Sequence, residues 1–116
     1  MSVRLAKEVL VLSDPNSPEP IKLSYEILRR AVLTLRAVNH KLRKEILELI
    51  EKNGRITVTE IYVKLRLEQS VTSQHLAILR KANVVVTERD GKFVYYKINK
   101  AKIAELAGLA AELAKS

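Results

Sequence analysis

A chain of 116 residues with no cysteine and a formal net charge of +8 is the size of one ordinary domain, and it has no disulfide, thiol nucleophile or thiolate metal site open to it. Only five residues are aromatic, so the core must rest on Leu, Ile, Val and Ala, which suits packed helices. No apolar run reaches the roughly 18–20 residues needed to span a bilayer, and a start charged at Arg4, Lys7 and Glu8 does not read as a signal peptide.

The charge is unevenly spread. Residues 64–102 carry 9 basic and 3 acidic side chains, against 11 and 8 in residues 1–63 and 1 and 2 in residues 103–116. A basic cluster attracts a polyanion, because neutralising phosphates releases condensed counterions. A solvated face that merely aids solubility has the same composition, so charge alone does not choose between the two.

In chain order, residues 1–12 read as a short amphipathic piece of undefined state. Ser13–Pro20 holds all three prolines and reads as a linker or extended arm, which makes residues 1–23 an N-terminal arm ahead of a domain over 24–114. Ser24–Val38 is expected to be a helix that is apolar on more than one face, and such a helix usually packs on two partners. Lys41–Lys52 follows, with Leu42, Ile46, Leu49 and Ile50 at helical spacing. Asn53-Gly54 ends it, because glycine accepts positive φ at a helix C-terminus.

Arg55–Ile56 suits a short strand. Thr57-Val-Thr-Glu60 then matches a capping box opening a third helix to about Leu65. Gln69–Lys81 is a fourth helix with Val71, Leu76 and Leu79 inward, closed by Asn83, which tolerates the left-handed region. Val84–Arg89 and Lys92–Ile98 are strand-like and flank Asp90-Gly91, a pair suited to a primed turn. Lys100–Ala114 is the last helix. Its stripe Ile103, Leu106, Ala110 and Leu113 has spacings of 3, 4 and 3, a seam for a partner helix. Two short helices followed by a two-stranded hairpin define a mostly α winged helix-turn-helix, whose second helix enters the major groove.

Gln69, Ser70, Thr72, Ser73, Gln74 and His75 crowd the first turns of the fourth helix with short polar side chains. Helix interiors usually avoid Ser and Thr. A DNA groove needs them, because Gln pairs bidentately with adenine while Ser and Thr serve several bases. An ordinary exposed helix face is the competing explanation. The longer cations Lys64, Arg80, Lys81, Arg89 and Lys92 sit on the preceding helix, the far end and the hairpin, where phosphates would run, and Tyr95, taken as the exposed member of the Tyr95/Tyr96 pair, joins them. Two sequence-distant histidines, no Cys and no glycine-rich phosphate loop argue against an enzyme and against a bound transition metal or other cofactor.

Val58-Thr-Glu-Ile61, the run Leu67-Glu-Gln-Ser-Val-Thr-Ser-Gln-His-Leu-Ala-Ile-Leu-Arg-Lys-Ala82, and Thr87-Glu-Arg-Asp-Gly-Lys-Phe-Val-Tyr-Tyr-Lys-Ile98 together resemble an ArsR-type repressor over residues 24–114. Asn39–Arg43 resembles the segment entering that family's second helix. The resemblance implies a cytoplasmic homodimer that sits on an operator in duplex DNA and leaves when a signal arrives, its inducer undefined. It also implies metal sensing, from which this sequence departs. The family's Cys-x-Cys falls on the Val58–Leu65 helix, which has no thiol, and its Asp/His/Glu set falls on the last helix, which offers only Glu105 and Glu112. Glu68 replaces the usual Ser N-cap, and Asn83 the usual Gly.

The expected protein is therefore a dimeric, sequence-specific DNA-binding repressor acting on an inverted repeat. Its dimer contacts come from the first and last helices, through Leu28, Val32, Leu35, Ile103, Leu106, Ala110 and Leu113. A winged-helix module that binds protein and not DNA is the alternative.

Overall fold

The computed structural model describes residues 8–115, in two compact units divided between Leu33 and Thr34. In the first, β1 (Val9–Leu12) pairs antiparallel with β2 (Ile21–Ser24), from Val9 opposite Ser24 to Leu12 opposite Ile21. The proline-bearing stretch is thus the loop of a hairpin and not an extended arm. Asp14 closes it, its carboxylate accepting the Asn16 N–H at 2.9 Å and its carbonyl the Ser17 N–H at 3.1 Å. Residues 1–7 of the expected amphipathic piece lie outside the described residues.

Helix α1 (Tyr25–Val38) begins in this unit. Ser24 Oγ accepts the Ile27 N–H at 3.3 Å, which satisfies one orphan donor of the first turn. Glu8 fastens the hairpin to the helix through its carbonyl, 2.9 Å from the Tyr25 N–H, and through its carboxylate, 2.8 Å from Arg29 Nη1.

The second unit runs α2 (Lys41–Asn53), β3 (Ile56–Thr57), α3 (Val58–Leu65), α4 (Gln69–Lys81), β4 (Val85–Asp90), β5 (Phe93–Ile98) and α5 (Lys100–Ala114). The expected caps are present. Gly54 takes φ +78° and Asn83 φ +63°. Thr57 Oγ1 accepts the Glu60 N–H at 3.2 Å while Glu60 Oε1 accepts the Thr57 N–H at 3.1 Å, a complete capping box. Ile46, Ile50, Ile56, Ile61, Leu76, Leu79, Val84, Val85 and Leu106 form one aliphatic core, with Leu35, Val38, Ile98 and Ile103 packed against it. Burial of aliphatic side chains, each worth about 1.5–3 kcal/mol, holds the helices around the sheet.

The sheet order is β3-β5-β4, all antiparallel, with β5 central. Asp90 pairs with Phe93, so the loop residues are Gly91-Lys92 and not Asp90-Gly91. Positive φ falls on Gly91 alone of these two, at +63°. That is a type II′ turn, still a primed turn that matches strand twist, but shifted one residue toward the C-terminus. Asn99 then joins hairpin to helix, its N–H bonding the Val84 carbonyl at 2.8 Å and its Oδ1 accepting the Lys102 N–H at 3.2 Å as the N-cap of α5.

One residue expected at a dimer contact lies elsewhere. Leu106 is 9% exposed and belongs to the protomer's own core, because its position in the stripe faces inward. Ile103 and Leu35 also pack against that core. Leu113, 70% exposed, and Leu28 remain open, as does Ala110, while Val32 is half-buried. Among the described residues no helix is long and apolar enough to cross a membrane.

Candidate nucleic-acid interface

Helices α3 and α4 are joined by a three-residue turn, Arg66-Leu67-Glu68. Arg66 takes the left-handed conformation at φ +56°, its N–H bonding the Tyr62 and Val63 carbonyls. The Leu67 N–H reaches the Tyr62 carbonyl at 2.9 Å. The turn brings α4 against α3 with Ile61, Leu76 and Leu79 buried in the shared core.

That packing sorts the polar residues of α4. Gln69, Ser70, Ser73 and Gln74 are exposed. Thr72 is not: it is fully buried, and its hydroxyl donates to the Glu68 carbonyl at 3.0 Å. The expectation that Thr72 reads bases is therefore corrected. Thr72 lies four residues before Leu76 and seven before Leu79, which is the inward stripe, and its hydroxyl is consumed within its own helix, a common fate for threonine. Val71, expected inward, is half-buried beside it.

His75 stands apart from the four exposed residues. It is half-buried, its ring 5.0 Å from that of His40 and its Nδ1 3.2 Å from Arg43 Nη1. Burial first, then the nearby His40 and Arg43, pushes its pKa below the ordinary histidine value. Glu68 stands at the N-cap without a side-chain bond to the helix, as expected of a weak cap.

Lys64, Arg80, Lys81, Arg89 and Lys92 are all exposed. Among the described residues none of these five is held in an ion pair. Tyr95 and Tyr96 do not divide cleanly into buried and exposed, since both are half-buried. Tyr96 packs on the core, while Tyr95 lies under Arg55, whose guanidinium sits 4.0 Å above its ring.

Arg55 was not legible as a site residue. It pairs with Asp90 at 2.9 Å and Glu88 at 3.7 Å, and Lys97 meets Glu88 at 3.7 Å. Cross-strand pairing places Glu88 opposite Tyr95 and Asp90 opposite Phe93, so both carboxylates lie on the Tyr95 face of the hairpin. There they are neutralised by Arg55 and Lys97. The signal available was an Arg just before a capping box, and nothing local showed what it would meet 35 positions later.

A helix-turn-helix whose second helix turns a polar face to solvent, followed by a β-hairpin with exposed cations at its tip, defines a winged helix-turn-helix of the DNA-binding kind. The model of the bacterial regulatory protein arsR family matches residues 40–87. The chain is similar to the transcriptional repressor PagR of Bacillus anthracis, 34% identical over 82 residues that cover 71% of this chain and 82% of that one. It is 32% identical over 80 residues to the transcriptional activator HlyU of Vibrio cholerae, covering 69% of this chain and 73% of that one. The crystal structure of PagR matches with a TM-score of 0.61 and 32% identity, over 75% of this chain and 99% of that one. The chain belongs to the arsR family of bacterial regulatory proteins. It is a DNA-binding transcription regulator and not an enzyme.

A metal of the kind that family implies does not fit the residues present. There is no cysteine. The two carboxylates of α5 already pair with lysines, Glu105 with Lys102 at 3.0 Å and Glu112 with Lys115 at 3.3 Å. Among the described residues no three His, Cys, Asp or Glu side chains cluster as a ligand set.

Proposed function

We propose that this regulator is a repressor that binds an inverted-repeat operator as a homodimer, with Gln69, Ser70, Ser73 and Gln74 reading bases and Lys64, Arg80, Lys81, Arg89 and Lys92 holding the phosphate backbone. The observation that carries the proposal is the division of α4. Thr72, Leu76 and Leu79 are locked inside, while four short polar side chains stand on its exposed side near its N-terminus, the end such motifs place deepest in the groove.

Tyr95 is a weaker backbone contact than expected from sequence, since it is half-buried and Arg55 covers its ring. The dimer draws on what the fold leaves open: Leu28 on α1, and Ala110 and Leu113 on α5. PagR is named a repressor and HlyU an activator; the repressor reading rests on the first.

The test is footprinting, with a parallel mobility-shift series, on duplexes covering the region upstream of its own gene, repeated over a range of salt. Binding should protect an inverted repeat and weaken linearly on a log–log scale, with a slope of about 0.9 per phosphate neutralised. Absence of protection at low salt across that region refutes it.

A further inference from the structure

Reading bases requires α4 to be fixed in roll, because a shift of one residue turns the helix by about 100° and would carry Ser73 and Gln74 off the groove. Apolar packing by Leu76 and Leu79 is non-directional and tolerates some rotation. The directional contact comes from His75, next to Gln74.

Its partner is anchored elsewhere. Arg43, in the first turn of α2, donates from Nε to the Ala37 carbonyl at 2.6 Å and from Nη2 to the Arg36 carbonyl at 3.2 Å. These are orphan acceptors in the last turn of α1, at the negative end of its dipole. The remaining arm of the guanidinium, Nη1, lies 3.2 Å from His75 Nδ1. A guanidinium only donates, so Nδ1 accepts and the ring proton sits on Nε2. His40 also stands near His75, their ring centroids 5.0 Å apart, with its own Nδ1 accepting the Leu42 N–H at 3.2 Å as the N-cap of α2.

We propose that Arg43 is a positioning residue for the recognition helix, holding its roll through His75, and that the hold lasts only while His75 is neutral. A second proton on the ring turns Nδ1 into a donor facing a donor and places a cation beside Arg43 and His40. The bonds from Arg43 to α1 survive, since Arg43 does not titrate; only the link to α4 opens. The charged and titratable groups facing His75 are His40 before α2 and Arg43 within it, with no carboxylate among the described residues to offset the new charge. This inference rests on the base-reading role of α4 proposed above.

The test has two arms, so that the latch and the DNA reading fail separately. In the free protein, ring nitrogen NMR should show His75 as the Nε2–H tautomer at pH 7.5, and amide exchange around residues 73–76 should quicken as His75 titrates. His75→Asn, which keeps an acceptor near the Nδ1 position but cannot take up a proton, should show no such change. In the second arm, wild type is used to enrich a duplex from a random pool at pH 7.5, and its affinity is compared with a scrambled duplex of equal composition at pH 7.5 and 5.5. The wild-type preference should fall by about fivefold or more on acidification, the range of an ordinary coupling between sites, while His75→Asn gives a flat profile. Parallel profiles for wild type and His75→Asn, or α4 exchange indifferent to His75 titration, overturn the latch. Failure of the pool to enrich any duplex while the NMR signature holds overturns base reading by α4, and the positioning role with it.

Discussion

Arg55 and Asp90 stand 35 positions apart in the chain and meet at 2.9 Å, the guanidinium also covering the Tyr95 ring at 4.0 Å. The contact ties the wing to the segment that leads into the helix-turn-helix, and it covers a carboxylate that would otherwise stand uncompensated near Lys92. Arg55→Ala should leave folding stability almost unchanged, because the pair is exposed and solvent-screened. It should weaken binding to every duplex alike by uncovering Glu88 and Asp90. Adding Glu88→Gln and Asp90→Asn to Arg55→Ala should recover most of the affinity in a mobility-shift titration. A triple variant no tighter than Arg55→Ala shows that Arg55 acts by some other route.

Gln74→Ala should relax preference at one base pair, with about 1–3 kcal/mol of discrimination lost. Arg89→Ala should weaken operator and scrambled duplex together and shallow the salt slope by about 1. Both variants are measured on the two duplexes in one buffer. If Arg89→Ala changes the ratio and Gln74→Ala does not, the roles assigned to helix and wing are reversed.

Thr72→Val keeps the buried shape but removes the hydroxyl bond to the Glu68 carbonyl. It should lower stability by about 1 kcal/mol in urea unfolding and leave the operator-to-scrambled ratio unchanged. A change in base preference would return Thr72 to the reading face.

His75 is held below its ordinary value, chiefly by burial, so the unfolded chain binds more protons than the folded one just below pH 6.5. The stability this neutral ring contributes is therefore complete above about pH 6.5 and is lost as pH falls through the lower, folded value. The urea midpoint of the wild type should drop more between pH 7.5 and 5.5 than that of His75→Asn. Equal drops would show that other groups carry the acid sensitivity.

Leu113 and Leu106 separate pairing from folding. Leu113→Lys should shift the chain from dimer to monomer in light scattering at micromolar concentration while leaving its unfolding midpoint extrapolated to low concentration unchanged. Leu106→Ala should cost about 2–5 kcal/mol in stability, as loss of a buried leucine does. A wild type that is monomeric at that concentration defeats the dimer.

Much of the second unit was written locally. The capping box at Thr57–Glu60, the left-handed Asn83 and Gly54, and the helix Gln69–Lys81 depend on neighbours within a few residues, and the structure has them where the pattern puts them. Tertiary facts were not. Thr72 looks like its polar neighbours until its spacing to Leu76 and Leu79 is weighed, and only packing shows that this spacing decides. The Leu106 stripe could face a partner or the chain's own core, because an amphipathic helix does not say which. Arg43 and Arg55 act across 32 and 35 positions, a range at which no periodicity operates. The β1–β2 hairpin was hidden by three prolines, which read as punctuation whether a chain is extended or turning back.

The two-residue turn at Gly91-Lys92 makes strand register a selector of sign. With Asp90 paired into the ladder opposite Phe93 and tethered by Arg55, the residue that follows the glycine at the apex is a lysine. A slip of one position would put an aspartate there, with Arg89 and Lys92 behind it, so the foremost charge would change sign while the net charge of the tip stayed the same. An insertion or deletion within residues 85–98 therefore threatens more than local geometry: it can exchange the charged side chain that the hairpin holds foremost.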